Sequence, residues 1–200
     1  VYDQLAPQFK KKLFDSRVLA ILDEITTPFI NYLLKISPHP HVLEIGPGPG
    51  VAQKIFERRG IASTAIDISQ KMIEIAQTAA YLTRYIHGDF LTYPFPSSDQ
   101  FDGIFAGACI YLFPKQDALR VFAKAKSLLS PSGMLYLSTP LFEQPWEGLT
   151  LRITERSKHR YFKHEWTLEE ITQAVHSQGF SIHLSQEYVD VNQRKGVNLY

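Results

Sequence analysis

His41-Val42-Leu43-Glu44-Ile45-Gly46-Pro47-Gly48-Pro49-Gly50 runs from a short apolar segment straight into alternating glycine and proline. The apolar run suits a strand buried on both faces, and the glycines suit a tight turn into a helix expected over 51–59. Strand, glycine turn and helix form the opening unit of a doubly wound sheet, in which ligands lodge beyond the carboxyl ends of the strands. The turn is poorly made for phosphate. Pro47 and Pro49 have no backbone N–H, so two donors of a phosphate cradle are missing, and Glu44 sets a negative charge beside it. Val51 stands where a dinucleotide fingerprint has its third glycine, and no Gly-Lys followed by Ser or Thr marks a triphosphate loop. The carboxylate suits a cationic or amino-bearing ligand instead.

Working outward, strands are expected over 61–66, 84–86, 101–106 and 134–138. Helices alternate with them, over 69–79 and around Leu119, Phe122, Ala125 and Leu129, the latter ended by Ser130-Pro131-Ser132-Gly133. Upstream, Leu13, Val18, Leu22 and Ile25 recur at helical spacing, with Pro28 as an interruption and Ser37-Pro38-His39-Pro40 as a stop, which predicts two N-terminal helices. Downstream, Thr167 and Glu170 have the spacing of a capping box, Gly179 sits where that helix should end, and two closing strands follow over 180–188 and 191–200. Alternating strand and helix of this kind predicts the α/β class, a doubly wound parallel sheet.

Composition agrees with one globular domain. The 200 residues are 44% hydrophobic and 20% charged, and a chain of this length buries about 70% of its unfolded surface. Twenty-one Lys and Arg against 20 Asp and Glu leave a net charge of +1, too little to gather nucleic acid or a membrane by a global field. Cys109 is the only cysteine, so neither an intramolecular disulfide nor a Cys-rich zinc site can form, and a reducing, cytoplasmic setting is expected. No apolar run reaches the roughly 18 residues of a membrane span, and Lys10-Lys11-Lys12 stands where a secretory leader would be apolar. The chain starts at Val1 rather than Met, as a trimmed product would. His159 and His164 are five apart with no helical register behind them, so no metal site is expected.

Two further acids complete the pattern. Asp67 ends the second strand, where a carboxylate can accept from both hydroxyls of a ribose. Asp89, in His87-Gly88-Asp89-Phe90 after the third strand, is placed to accept from an adenine amino group, with Phe90 and Ile68 sandwiching the ring. The pieces converge on adenosine joined to an amino acid, without phosphate. Each also has a plainer reading: Gly46, Gly48 and Gly50 as a tight turn, Asp67 as a helix cap, Gly88-Asp89 as an ordinary turn pair, Glu44 as an acid paired with a base.

These residues resemble the motifs of the class I S-adenosylmethionine-dependent methyltransferases, in the branch that acts on small molecules. Glu44-Ile45-Gly46-Pro47-Gly48-Pro49-Gly50 matches the glycine motif, Asp67 the ribose acid, Gly88-Asp89-Phe90 the adenine motif, and Phe101-Asp102-Gly103-Ile104-Phe105 the fourth strand. Leu128 to Leu135 resembles the entry to the fifth strand, and Tyr2-Asp3 with Ala6 the start of a lid helix. The resemblance implies a Rossmann-like three-layer sandwich whose seven-stranded, mostly parallel sheet has its last strand antiparallel. It implies a helical lid over residues 1–40, a cofactor-binding core over 41–138, a substrate-side insert over 139–165 and a closing helix and strands over 166–200. S-adenosylmethionine is the implied cofactor, with Ile68, Met72, Ala106 and Gly107 lying against it beside the residues above.

Methyl transfer from a sulfonium needs alignment and desolvation more than it needs a base, so no catalytic residue is assigned. Candidates for the acceptor side are Tyr2, Tyr111, and Trp146, His159, Arg160 and Tyr161 of the insert. From residue 151 to 165 the local net charge is +3, which points to an anionic or carboxylate-bearing small-molecule acceptor unless the run is a solvated face. Three alternatives stay open: a methyltransferase-like module that binds without turnover, an RNA or other nucleic-acid methyltransferase, and a dehydrogenase of similar topology. Against the second, Ala106-Gly107-Ala108-Cys109-Ile110 lacks the Asn- or Asp-Pro-Pro-Tyr of base-amino methyltransferases. Against the third stand Val51 and the two prolines.

Overall fold

The computed structural model describes residues 2–13, 15–153, 158–190 and 193–200. They group into two compact units, one of Tyr2–Phe105 with Leu128–Tyr136, the other of Ala106–Ser127 with Leu137–Tyr200. The first holds helices α1 (Tyr2–Leu13), α2 (Ser16–Ile36), α3 (Val51–Arg58) and α4 (Gln70–Gln77), and strands β1 (His41–Ile45), β2 (Ala62–Asp67) and β3 (Arg84–His87). Strands β4 (Phe101–Gly107) and β5 (Leu129–Pro140) start in this unit and end in the second. The second adds a 3-10 turn (Ile110–Leu112), α5 (Lys115–Leu128), β6 (Trp146–Ile153), β7 (Lys158–Glu165), α6 (Leu168–Ser177), β8 (Ser185–Val189) and β9 (Lys195–Leu199).

Seven strands pair in the order β3-β2-β1-β4-β5-β9-β8. β1 is parallel to β2 and β4, and β2 to β3, while β9 runs antiparallel to both β5 and β8. This is the expected Rossmann-like sheet with its last strand reversed. In the first unit the core is aromatic: Phe105 stacks on Tyr136 at 4.3 Å, and Phe29 and Phe56 pack around them at 5.5–6.3 Å. Gly103 admits that arrangement, because a Cβ there would lie 2.5 Å from Phe29 Cζ and 2.8 Å from Leu33. A side chain on β4 would push α2 off the sheet.

Three local expectations are corrected. Helix α2 continues through Pro28, and the break between the two N-terminal helices falls earlier, where Asp15 caps α2 by accepting from Arg17 N–H. Proline removes the donor to the Glu24 carbonyl, and in the turn before it Thr26 and Thr27 hydroxyls donate to the carbonyls of Leu22 and Asp23, at 2.7 Å each. Ser130-Pro131-Ser132-Gly133 does not close α5 as a turn. Helix α5 stops at Leu128 and these residues extend β5, drawn in by Tyr32 Oη donating to Ser132 O and by Ser130 Oγ reaching Asp102. The capping box is half made: Thr167 Oγ1 accepts from Glu170 N, but the Glu170 carboxylate is engaged elsewhere. The insert at 139–165 contains an antiparallel hairpin, β6 against β7, from Trp146↔Glu165 to Ile153↔Lys158.

Candidate active site

The three glycines after β1 all have positive φ: +67° at Gly46, +54° at Gly48 and +86° at Gly50. They do different work. A Cβ on Gly48 would meet nothing within 4 Å, so the chain there borders open space, as a turn approached by a ligand should. A Cβ on Gly50 would lie 2.8 Å from the Cα and Cβ of Ala76, so this glycine lets the start of α3 close on α4.

Asp67 ends β2 beneath this loop and is 9% exposed. Its Oδ2 accepts from Gly48 N–H at 3.2 Å and its Oδ1 from Ser69 N–H at 2.8 Å. Burial pushes the Asp67 carboxyl up, and the two N–H bonds pull against it. It is not the cap of α4: Ser69 is, accepting from Met72 N–H. Of about four lone-pair directions on a carboxylate, two are occupied, which leaves capacity for ribose hydroxyls.

Glu44 on β1 is 3% exposed and accepts from the Gln53 side-chain amide on α3. Neither sequence reading anticipated a neutral amide as its partner. Burial pushes its carboxyl well above the ordinary range, and the Asp67 charge adds to the shift. The folded protein therefore holds this proton more tightly than the unfolded chain. Stability is lost as pH rises past the ordinary glutamate range, so an ionisable acid at this buried position costs stability near neutrality. Gln53 Oε1 is buried without a partner, and a glutamine at 44 could donate to it. Glu44→Gln is expected to stabilise the ligand-free protein by about 1 kcal/mol, read as a melting temperature about 2–4 °C higher at pH 7.5. A lower melting temperature would show that the charge is not the cost.

The adenine-side residues separate. Ile68 is 68% exposed just beyond β2, an apolar side chain left standing at the mouth of the loop. Phe90 turns into the core, 3% exposed and 5.9 Å from the Phe95 ring, so it does not form the sandwich with Ile68. The cluster of Phe90, Tyr93, Phe95 and Phe101 draws it inward. Asp89 Oδ1 accepts from Leu91 N–H at 2.9 Å, and Asp89 O from Thr92 and Tyr93, so Asp89 does serve as a turn residue. Gly88 N–H donates to Asp67 O at 3.0 Å, which sets the two acids on neighbouring strand ends. Met72, in the first turn of α4, is buried at 2% exposure. One anchor was missed in sequence: Asp3 of α1 accepts from Ser69 Oγ at 2.6 Å and from Lys71 N–H at 3.1 Å, joining α1 to the start of α4. Those bonds, the Ser69 one first, hold the Asp3 carboxyl below its usual range. Tyr2, beside it, has its ring 6.4 Å from Phe9.

In the second unit, Ala106 is buried and Gly107 half-buried at the end of β4, and Tyr111 is half-buried in the 3-10 turn. Cross-strand partners share a face of the hairpin. Trp146, His159 and Tyr161 therefore fall on one face and Arg160 on the other, with Lys158. The basic run is thus divided, and Lys163 within it is paired with Glu165 at 2.6 Å and lies 4.1 Å from the Phe142 ring. Arg160's face leads to a group that sequence reading did not find, Glu147, His164 and Glu170 with Lys115. Its only sequence signal is a histidine among charges in an alternating segment. Among the described residues no group of three His, Cys, Asp or Glu could hold a metal, and no helix is long and apolar enough to cross a membrane.

Residues 43–137 match the family described as a methyltransferase domain. A trans-aconitate 2-methyltransferase of Delftia acidovorans (strain DSM 14801 / SPH-1) is 29% identical over 129 residues, 61% of this chain and 47% of that protein, so the match spans about half of the relative's length. Among solved structures, the DhpI protein with S-adenosylhomocysteine superposes at a TM-score of 0.71, with 18% identity, over 100% of this chain and 92% of that one. The 1,6-didemethyltoxoflavin-N1-methyltransferase of Burkholderia thailandensis superposes at 0.67, with 19% identity, over 98% and 85%. At these identities the structural likeness is one of fold. Residues 43–137, just under half of the chain, match the methyltransferase-domain family, and the fold around them is like that of the solved structures above.

Proposed function

We propose that this protein transfers the sulfonium methyl of S-adenosylmethionine to a small, carboxylate-bearing acceptor. The observation that carries the cofactor half is Asp67: a buried carboxylate fixed by two backbone N–H groups at a strand end, under a loop open at Gly48. Asp67 takes the ribose hydroxyls, exposed Ile68 covers the adenine, and Glu44 acts through Gln53 rather than by direct contact. When bound, the sulfonium supplies an already activated methyl group for in-line displacement. The chain's own task is to align the acceptor and exclude water, and such positioning is worth roughly 7–11 kcal/mol.

Two things support a carboxylate-bearing acceptor: the name of the Delftia relative and the exposed pair Lys158 and Arg160 on one hairpin face. Division of the basic run over two faces weakens the nucleic-acid reading, which wants a continuous patch. The single cysteine, Cys109, is buried, and the proposal places the protein in a reducing, cytoplasmic setting. It also treats the whole described chain as one methyltransferase.

The test begins with calorimetric titration of S-adenosylmethionine, S-adenosylhomocysteine and NAD, followed by labelled-methyl transfer to small di- and tricarboxylates, amines and RNA. Binding of the first two ligands and labelling of a carboxylate are expected. Lys158→Ala with Arg160→Ala should raise the acceptor KM about tenfold, the loss of one charge-assisted hydrogen bond of about 1.5 kcal/mol. Labelling of amines or RNA alone would overturn the acceptor class, and binding of NAD alone would overturn the cofactor.

A further inference from the structure

His164 is the most enclosed ionisable group of the second unit, at 3% exposure, and the methyl-transfer chemistry makes no use of it. Its Nδ1 lies 3.0 Å from Glu147 Oε2 and its Nε2 3.0 Å from Glu170 Oε2. Each ring nitrogen thus faces a carboxylate oxygen, an acceptor, at hydrogen-bond distance. Each carboxylate has a second duty. Glu147 also accepts Lys115 N–H at 3.0 Å, at the positive end of α5, and Glu170, in the first turn of α6, pairs with Lys115 Nζ at 2.6 Å. Hydrogen bonds from Lys115 N–H and then His164 hold the Glu147 carboxyl below its ordinary range. For Glu170, burial pushes upward, but the bonds from Lys115 and His164 outweigh it.

Two carboxylates, the imidazole ring between them and the Lys115 ammonium tie β6, β7, α5 and α6 together at a single point. The base of the hairpin is held a second time there. Trp166 is fully buried with its ring 4.1 Å from that of His164, Phe142 N–H donates to Trp166 O at 2.9 Å, and Leu141 bridges Trp166. β7 packs against the 3-10 turn that follows β4, which carries Tyr111. Beyond this anchored end, on the same face as His164, the hairpin carries Phe162 and the exposed Leu149, Leu151, Arg160 and Lys158. It is a two-stranded sheet by itself, and such ribbons are marginal without a fixed end.

We propose that His164, bridging Glu147 and Glu170, is a positioning residue that pins the β6–β7 hairpin so that its acceptor-side groups hold one geometry. The inference rests on the proposed methyl transfer to an acceptor read by this hairpin. Removing the ring leaves two carboxylates without the bridge between them, which loosens the hairpin; neutralising one carboxylate as well relieves their repulsion.

The experiment uses the full chain and three variants, His164→Gln, His164→Gln with Glu170→Gln, and Glu147→Gln, the last altering a half-exposed side chain in case the first fails to fold. Hydrogen exchange of the amides in 146–153 and 158–165 is measured alongside S-adenosylmethionine affinity and the acceptor kinetics. The expected result for His164→Gln is hairpin exchange at least tenfold faster, acceptor KM at least fivefold higher with a smaller fall in kcat, and cofactor affinity within twofold. The double variant should recover part of the protection, and Glu147→Gln should shift exchange and KM in the same direction. Unchanged exchange, unchanged KM despite faster exchange, or cofactor affinity falling in step with KM would each overturn the proposal. If the wild-type chain methylates no acceptor, the function reading fails, and so does the link from hairpin to acceptor; the exchange data then report only whether the hairpin is pinned.

Discussion

Gly50→Ala is expected to destabilise the protein by about 2–5 kcal/mol, whereas Gly48→Ala, two residues earlier in the same loop, costs about 1 kcal/mol. Both positions lie in the left-handed region, where an L side chain costs roughly 1–2 kcal/mol. Only Gly50 adds a collision, because its new Cβ would meet Ala76 at 2.8 Å, and forcing atoms into a packed contact costs about 1–3 kcal/mol more. In a chain of this size the larger figure lowers the melting temperature by roughly 10–20 °C. Paired thermal melts of the two variants check this. Equal melting temperatures would show that α3 and α4 are not closed on each other through Gly50. The same pair separates fold from ligand: Gly48→Ala, the milder change for stability, places a methyl in the open space beside Asp67, and its effect should appear in cofactor affinity.

Asp67→Ala is expected to weaken S-adenosylmethionine binding by about 1.5–3 kcal/mol, or about 10- to 150-fold, through loss of charge-assisted hydrogen bonds. Its effect on the ligand-free fold should be much smaller, because two opposed terms are removed together. The buried charge disappears, but Gly48 N–H and Ser69 N–H lose their acceptor. Asp67→Asn keeps one oxygen for those groups and should fall between alanine and wild type in affinity. Calorimetry on the three proteins decides the matter. An alanine variant that binds as tightly as wild type would mean that the ribose does not sit on Asp67.

Elements whose causes are local were legible in the sequence. The apolar run of β1, the glycine turn and the Thr167 cap of α6 each depend on residues within a few positions, so spacing predicts them. The alternation of strand and helix, with right-handed crossovers, left few ways to order the sheet. Asp67 could be placed at a strand end by the same reasoning. Partners distant in sequence were not legible. Helix α2 runs through Pro28 because its buried face is held on the sheet at Gly103. Phe90 joins an aromatic cluster instead of facing adenine, and β5 begins at Leu129 because Tyr32 and Asp102 hold the segment that reads as a turn.

The sequence alone therefore determined the class of fold and the places of the glycine loop and its acids, since glycines, prolines and single acids act through backbone geometry that their neighbours dictate. Only tertiary structure decided what each of those residues touches. Gly50 answers to Ala76, Glu44 to Gln53, Asp3 to Ser69 and His164 to two carboxylates on separate elements. Such pairings depend on which surfaces the whole chain brings together, and no periodicity along the chain encodes them.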